Sequence, residues 1–284
     1  ESAKNLALSI IEKFSNDPLS WKVLGAIYLE LGDLNKSLEA NEKAIKCNPV
    51  DAEIFNNVGN TYKELGKLCD AENSYKQSIA LRPKFLLAHY NLGIILEELN
   101  KFDESEICYR KAVAIEPQFF KAHSNLGILL KKIGRIEEAE TIFKLAFNLE
   151  PELAEASFNY GFILNDLGKY EEAVSFFSYA LSLKSDYAET YNNLGYSLQK
   201  LGKFEEAESY YEKYISLEPD KIPKVISRGV TLFNEGEFKK ALSFLDSYNT
   251  KESRAYALEA LYALGRIDDI YHRIKDQAEL DDEN

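Results

Sequence analysis

AETYNNLGYSLQKLGKFEEAESYYEKYISLEPDK, residues 188–221, decides the fold, because its landmarks return every 34 residues along the chain. Within it Gly195 stands seven residues before Gly202, the small residue Ala207 precedes the aromatic Tyr211 by four, and Pro219 closes the unit. Working outward, the first glycine recurs as Gly25, Gly59, Gly93, Gly127, Gly161 and Gly229, without an insertion or deletion. The second recurs as Gly32, Gly66, Gly134, Gly168 and Gly236, with Asn100 once in its place. Ala71, Ala139, Ala173 and Ala241 repeat the small residue, and Tyr75, Tyr109, Phe143 and Phe177 the aromatic. Pro49, Pro83, Pro117 and Pro151 repeat the proline, which Ser185 replaces once. Small and aromatic residues four apart share one face of a helix and form its buried side. Gly or Asn takes the left-handed conformation that ends a helix, and proline cannot continue the helix before it. Each unit therefore reads as helix, tight turn, helix, break. The first glycine and the alanine let the paired helices approach closely, and the aromatic fills the space beside them.

Trp21, Leu24, Gly25, Tyr28, Ala44 and Pro49 follow the pattern W-x2-L-G-x2-Y, then A-x3-F, then P, almost letter by letter. On these residues the chain resembles the tetratricopeptide repeat family. The resemblance covers essentially the whole chain and implies an all-α solenoid, a right-handed superhelix of antiparallel helix pairs. We divide it into the second helix of a truncated repeat at 1–17, six full repeats over 18–221, a shortened repeat at 222–250, and a degenerate helix pair with an acidic tail at 251–284. Ala3, Ala7 and Ile10 stand at packing places of the first segment. Ser247 to Ser253 replace a helix tail and its proline, and Ala257, Leu258, Leu261, Leu264, Ile267 and Ile270 mark the last two helices before the polar end at Asp281–Asn284. The missing first helix and the absence of any Met lead us to expect a piece of a longer protein.

Charge and composition exclude whole classes of function. At a formal charge of -13 the chain is a poor partner for phosphate backbones, so nucleic acid is not expected. No run approaches the roughly 18 apolar residues of a membrane span, and no membrane association is expected. Cys47, Cys69 and Cys108 are three widely spaced thiols without a C-x-x-C pair, so neither a disulfide framework nor a zinc site is suggested, and a reducing cytoplasm is the expected location. His89 and His123 occupy the same repeat position, where Trp21, Phe55 and Tyr191 stand elsewhere. They read as variants of a semi-buried aromatic place, and His272 has no recognisable companion. The recurrent acids at Glu137, Glu171 and Glu205 are the acidic first turn of each second helix, favourable to the helix dipole, and no paired carboxylates for hydrolysis are read from them. No catalytic residue, metal or cofactor is expected.

Stacked repeats leave a concave face lined mainly by the first helices, and a protein or peptide ligand is expected there. Two places before the core glycine stand Asn57, Asn91, Asn125, Asn159 and Asn193, flanked by Val23 and Ser227. A side-chain amide carries an acceptor and two donors, so such a row can pair with the backbone of an extended peptide whatever its side chains. In this respect the array is similar to the repeat region of the O-linked N-acetylglucosamine transferases, which implies that the five asparagines hold protein substrates by their backbone. The alternative is that they are repeat text carried along by duplication, bonding only within the helix. Beside the row lie Asn56, Asn60, Tyr90, Ile94, Ser124, Ile128, Phe158, Phe162, Asn192 and Tyr196, aromatic and apolar in the middle. Glu97, Glu98, Lys131, Lys132, Asn165, Asp166, Gln199 and Lys200 form a mixed set able to read charge along a ligand or to face solvent as helix ends. A clamp for a C-terminal carboxylate, used by some members of the family, finds Lys22 and Asn57 in two of its places, but Ala26, Leu87 and Asn91 in the others.

The expected function is a protein-interaction scaffold. One alternative is the substrate-recruiting region of a larger enzyme, since proteins of this kind carry glycosyltransferase, sulfotransferase or 2-oxoglutarate oxygenase-like domains after their repeats. The other is a self-assembling array with end-to-end contacts through apolar repeat surface.

Overall fold

The computed structural model describes residues 2–234, 236–246, 248 and 250–282, and among them every regular element is a helix. The packing side chain expected at Ala3, the replaced-tail residues Ser247 and Asn249, and the tail end at Glu283 and Asn284 lie outside what is described. The chain forms two compact units, residues 1–149 and 150–284.

In the first unit a leading helix, α1 (Ser2–Lys13), is followed by four pairs: α2 (Pro18–Glu30) with α3 (Leu34–Cys47), α4 (Ala52–Glu64) with α5 (Leu68–Leu81), α6 (Leu86–Glu98) with α7 (Phe102–Ile115), and α8 (Phe120–Lys132) with α9 (Ile136–Leu149). Each helix packs on its neighbours in sequence, and α4 also touches both α2 and α6, so these first helices share one face. The second unit contains α10 (Ala154–Asp166) with α11 (Tyr170–Leu183), α12 (Ala188–Lys200) with α13 (Phe204–Leu217), and, after a short 3-10 turn, α14 (Ile222–Asn234) with α15 (Phe238–Asp246). It ends in α16 (Lys251–Ala263) and α17 (Ile267–Asp282). At nine residues α15 is five shorter than α13. The chain then re-enters a helix through a capping box in which the Thr250 and Ser253 side chains each accept the other's backbone N–H at 3.1 Å.

The turns follow the glycine spacing. Gly66 has φ 70, and the Lys67 N–H returns to the Tyr62 carbonyl at 2.9 Å, the bond that closes a helix C-terminus on a left-handed residue. Asn100 takes the same conformation, φ 58, and the Lys101 N–H returns to Leu96 at 2.7 Å. The pairs close on the other glycines. A Cβ added at Gly59 would lie 2.5 Å from the ring of Tyr75, which is fully buried, and one at Gly127 would lie 2.8 Å from Phe143. Between pairs, Ala71 and Tyr75 join Leu92, Ile95, Leu96 and Cys108 of the next pair in one buried cluster. At 25 cal/mol per Å² of apolar area, burial of each such aromatic contributes on the order of 2–3 kcal/mol.

Candidate functional site

The five asparagines all sit on first helices, but in different surroundings. In the first unit Asn57, Asn91 and Asn125 are half-buried. Among the described residues the Asn57 amide makes no hydrogen bond. Asn91 Nδ2 lies 3.1 Å from both Asn56 Oδ1 and Asn60 Oδ1, so its two N–H groups face the preceding repeat and its Oδ1 is left over. Asn60 Oδ1 also accepts the Tyr75 hydroxyl at 2.7 Å. Asn125 Nδ2 donates to the Tyr90 hydroxyl at 3.2 Å. In the second unit Asn159 and Asn193 are less than a tenth exposed, and Asn193 Nδ2 donates to the Glu189 carbonyl of its own helix at 2.8 Å.

Two cavities open on the first unit at equivalent places one repeat apart. One, about 470 Å³, is lined by Asn60, Lys63, Glu64 and Asn91 together with Leu29, Gly32 and Leu34. The other, about 350 Å³, is lined by Ile94, Glu97, Glu98 and Asn125 together with Tyr109, Ile128 and Lys132. Ile94, Glu97, Glu98 and Asn125 occupy the repeat positions of Asn60, Lys63, Glu64 and Asn91, so one geometry recurs with different side chains. Lys132 stands 3.3 Å from Glu97. Lys22, which shares the clamp pattern, is paired with Asp51 at 3.0 Å and Glu53 at 2.8 Å. Burial pushes the Asp51 carboxyl up, but the Lys22 ammonium and the Glu53 backbone N–H more than offset it and hold Asp51 ionised at neutral pH.

The aromatics lie in packed groups. Tyr90 meets Phe119 edge-on at 5.2 Å and Tyr109 at 6.1 Å. In the second unit Phe158 stacks on Phe162 at 6.0 Å and packs on Tyr187 at 4.9 Å and Phe177 at 5.8 Å. Burial pushes the Tyr187 hydroxyl up to about 12, with Glu155 and Glu189 adding to it, so it stays protonated. Two cations approach the Tyr196 ring, the Arg228 guanidinium at 4.4 Å and the Lys200 ammonium at 5.7 Å from its centre.

Sequence reading missed the residues at the N-caps. Asp51, Phe119 and Tyr187 each lie 29 residues after a side chain of this face, namely Lys22, Tyr90 and Phe158, and each covers it. The signal was available, since a helix start recurs on the same period as the row it borders. The histidines take a structural place. His89 Nε2 donates to the Pro83 carbonyl and His123 Nε2 to the Pro117 carbonyl, both at 2.9 Å. Trp21 Nε1 makes the equivalent bond to Ser15 at 2.8 Å and the Tyr191 hydroxyl to Ser185 at 2.9 Å. Whichever of these side chains occupies the place, it donates to the carbonyl six residues back. Among the described residues no three His, Cys, Asp or Glu side chains are grouped to hold a metal ion, and no helix is long and apolar enough to cross a membrane.

Three family models match the chain. One described as a TPR repeat matches residues 25–66, 59–100 and 161–202. Two described as tetratricopeptide repeat match 87–119 and 188–221, and 108–141. No curated protein matches. Among solved structures, YrrB, a TPR protein with an unusual peptide-binding site, is 25% identical with a TM-score of 0.54, over 64% of this chain and 93% of its own. A tetratricopeptide repeat protein from Parabacteroides merdae is 18% identical with a TM-score of 0.62, over 92% of this chain and 100% of its own. Pseudomonas aeruginosa pilF is 17% identical with a TM-score of 0.63, over 71% and 92%. Repeat matches over more than half of the residues, on a wholly helical fold of stacked pairs, make the chain a tetratricopeptide-repeat protein.

Proposed function

We propose that the chain is an interaction scaffold whose first helices hold an extended segment of another polypeptide, with the amides of Asn57, Asn91 and Asn125 pairing with its backbone. The observation that carries this reading is the recurrence of one cavity on successive repeats, each lined by an asparagine of the row. An extended chain rises about 3.3 Å per residue, so it passes successive helix pairs, roughly 10 Å wide, every few residues and meets one amide at each. Asn91 is held in one orientation by Asn56 and Asn60 with its Oδ1 unused, and such pre-organisation limits the entropy lost on binding. Tyr90 offers a side-chain contact beside these amides in the first unit, and Phe158, Phe162 and Tyr196 offer aromatic contacts within the second unit by itself. Asn159 and Asn193 are less exposed than the other three, so the proposed backbone contacts rest on the first unit. Similarity to YrrB, itself a peptide-binding repeat protein, supports the same reading.

The test is a peptide array probed with the chain and with Asn57→Ala, Asn91→Ala and Asn125→Ala combined, after circular dichroism has shown equal helicity. With each hydrogen bond contributing about 1 kcal/mol net, the triple variant is expected to bind at least about tenfold more weakly across peptides of unrelated sequence. Binding equal to the parent would remove the asparagines from the site and return them to repeat text.

A further inference from the structure

The residue before the close-packed glycine is Leu24, Val58, Leu92, Leu126, Tyr160 and Leu194 in successive repeats, and then Arg228. The fold buries this place: Leu24, Leu92, Leu126 and Leu194 are all 4% exposed or less. A guanidinium has been put where the other repeats carry core side chains. It is half-buried, its Nε–H is buried without a hydrogen-bond partner, and among the described residues it makes no ion pair. Scarcity of acids does not explain this, because residues 150–284 carry 26 Asp and Glu against 15 Lys and Arg. A buried N–H left without a partner, on a cation with no counter-charge among the described residues, is unfavourable and persists where a partner elsewhere offsets it.

Its surroundings say what that partner is. The guanidinium carbon lies 4.4 Å from the centre of the Tyr196 ring, and the Lys200 ammonium 5.7 Å from the same centre. The nearby Tyr211 hydroxyl donates to Gln199 Oε1 at 2.9 Å, and neither group supplies a negative charge. With the ring against the guanidinium, the N–H groups of its two Nη atoms, which unlike Nε are not closed off from solvent, remain for two parallel bonds to a planar anion. A carboxylate fits those N–H groups, and Lys200 adds a second positive charge. We infer that Arg228 holds a carboxylate of a polypeptide bound along the second unit, with Tyr196 orienting the guanidinium; this rests on the peptide-holding reading above. It makes the scaffold selective for an acidic feature although the chain itself is acidic.

The experiment takes the array peptides that bind and resynthesises each with its Asp and Glu changed to Asn and Gln, in C-terminally free and amidated forms. All are titrated against the chain and against Arg228→Leu, a variant that restores the residue of four other repeats and is expected to melt no lower than the parent. Acidic peptides should lose about tenfold to a hundredfold in affinity on amide replacement, the size of a charge-assisted bond, and lose it equally on Arg228→Leu, while the acid-free versions bind both proteins alike. A loss that follows the side-chain replacement identifies an Asp or Glu as the source, and one that follows amidation identifies the chain terminus. Peptides that bind without any preference for acid, or whose preference survives in a folded Arg228→Leu, overturn the inference and leave the scaffold reading standing. An array with no binding peptides overturns both.

Discussion

At Gly59 one added methyl group sets two effects against each other. Alanine is preferred to glycine within a helix by about 1 kcal/mol. Against that, the new Cβ would lie 2.5 Å from the Tyr75 ring, which is fully buried and tied through its hydroxyl to Asn60 at 2.7 Å, so it cannot swing away. Overpacking of this kind costs about 1–3 kcal/mol, and Gly59→Ala is expected to destabilise by about 1 kcal/mol net in urea unfolding. An unchanged or raised midpoint would mean that the ring moves freely. The positions of these glycines and rings were legible in the sequence because packing has only one solution at each and repeats it. The place of His89 and His123 was legible as an aromatic variant; their bond to the carbonyl six residues back was not, since it depends on the path of the loop before the helix. The asparagine row was legible as a row. That Asn91 bonds to Asn56 and Asn60 while Asn193 bonds to its own helix was not, because identical residues take their partners from neighbours that vary between repeats.

Between elements, charge ties the second helices α5 and α7 of the first unit to the turn of the next pair. Glu72 on α5 binds Lys76 one turn on, at 2.6 Å, and Lys101 after the α6–α7 turn, at 2.8 Å. Glu106 on α7 repeats the device with Arg110 at 2.8 Å and Arg135 at 2.7 Å. Sequence reading assigned acids to helix starts and overlooked these, because the partner lies 29 residues away and only stacking brings it near. Burial pushes the Glu72 carboxyl up, yet the hydrogen bonds from Lys101 and Lys76 outweigh it and leave its pKa below the ordinary value. A carboxyl lowered on folding stabilises fully above its unfolded pKa, about 4.3, and loses that contribution as pH falls through the lower folded value. Glu72 is 6% exposed but its lysine partners face solvent, so the tie contributes modestly. Glu72→Gln is expected to cost about 1 kcal/mol at pH 7, and the gap between variant and parent should close as pH falls toward 3. Urea midpoints at both pH values check it, and a gap that stays constant would show that packing, not charge, is lost.

Across repeats, side-chain hydrogen bonds such as Asn91 to Asn56 and Asn125 to Tyr90 span 35 positions. That is one repeat and one residue, so these ties run between neighbouring pairs. Stability in such an array is the sum of each pair's own stability and its contacts with immediate neighbours, and damage to one pair spreads only as far as those contacts carry it. The 34-residue period already implied this, since a chain whose text repeats cannot specify a contact between distant units without breaking the repeat. Gly59→Ala, which strains the contact between α4 and α5, therefore serves as a local lesion. Native-state hydrogen exchange on the variant is expected to show reduced protection in α4 and α5, a smaller reduction in α3 and α6, and none in α12 and α13. The reduction should match the drop in urea stability only in the damaged pair, because opening there need not open the rest. Equal loss of protection in all of these helices would mean that the chain unfolds as one cooperative body, and the repeat-by-repeat account of its stability would have to be abandoned.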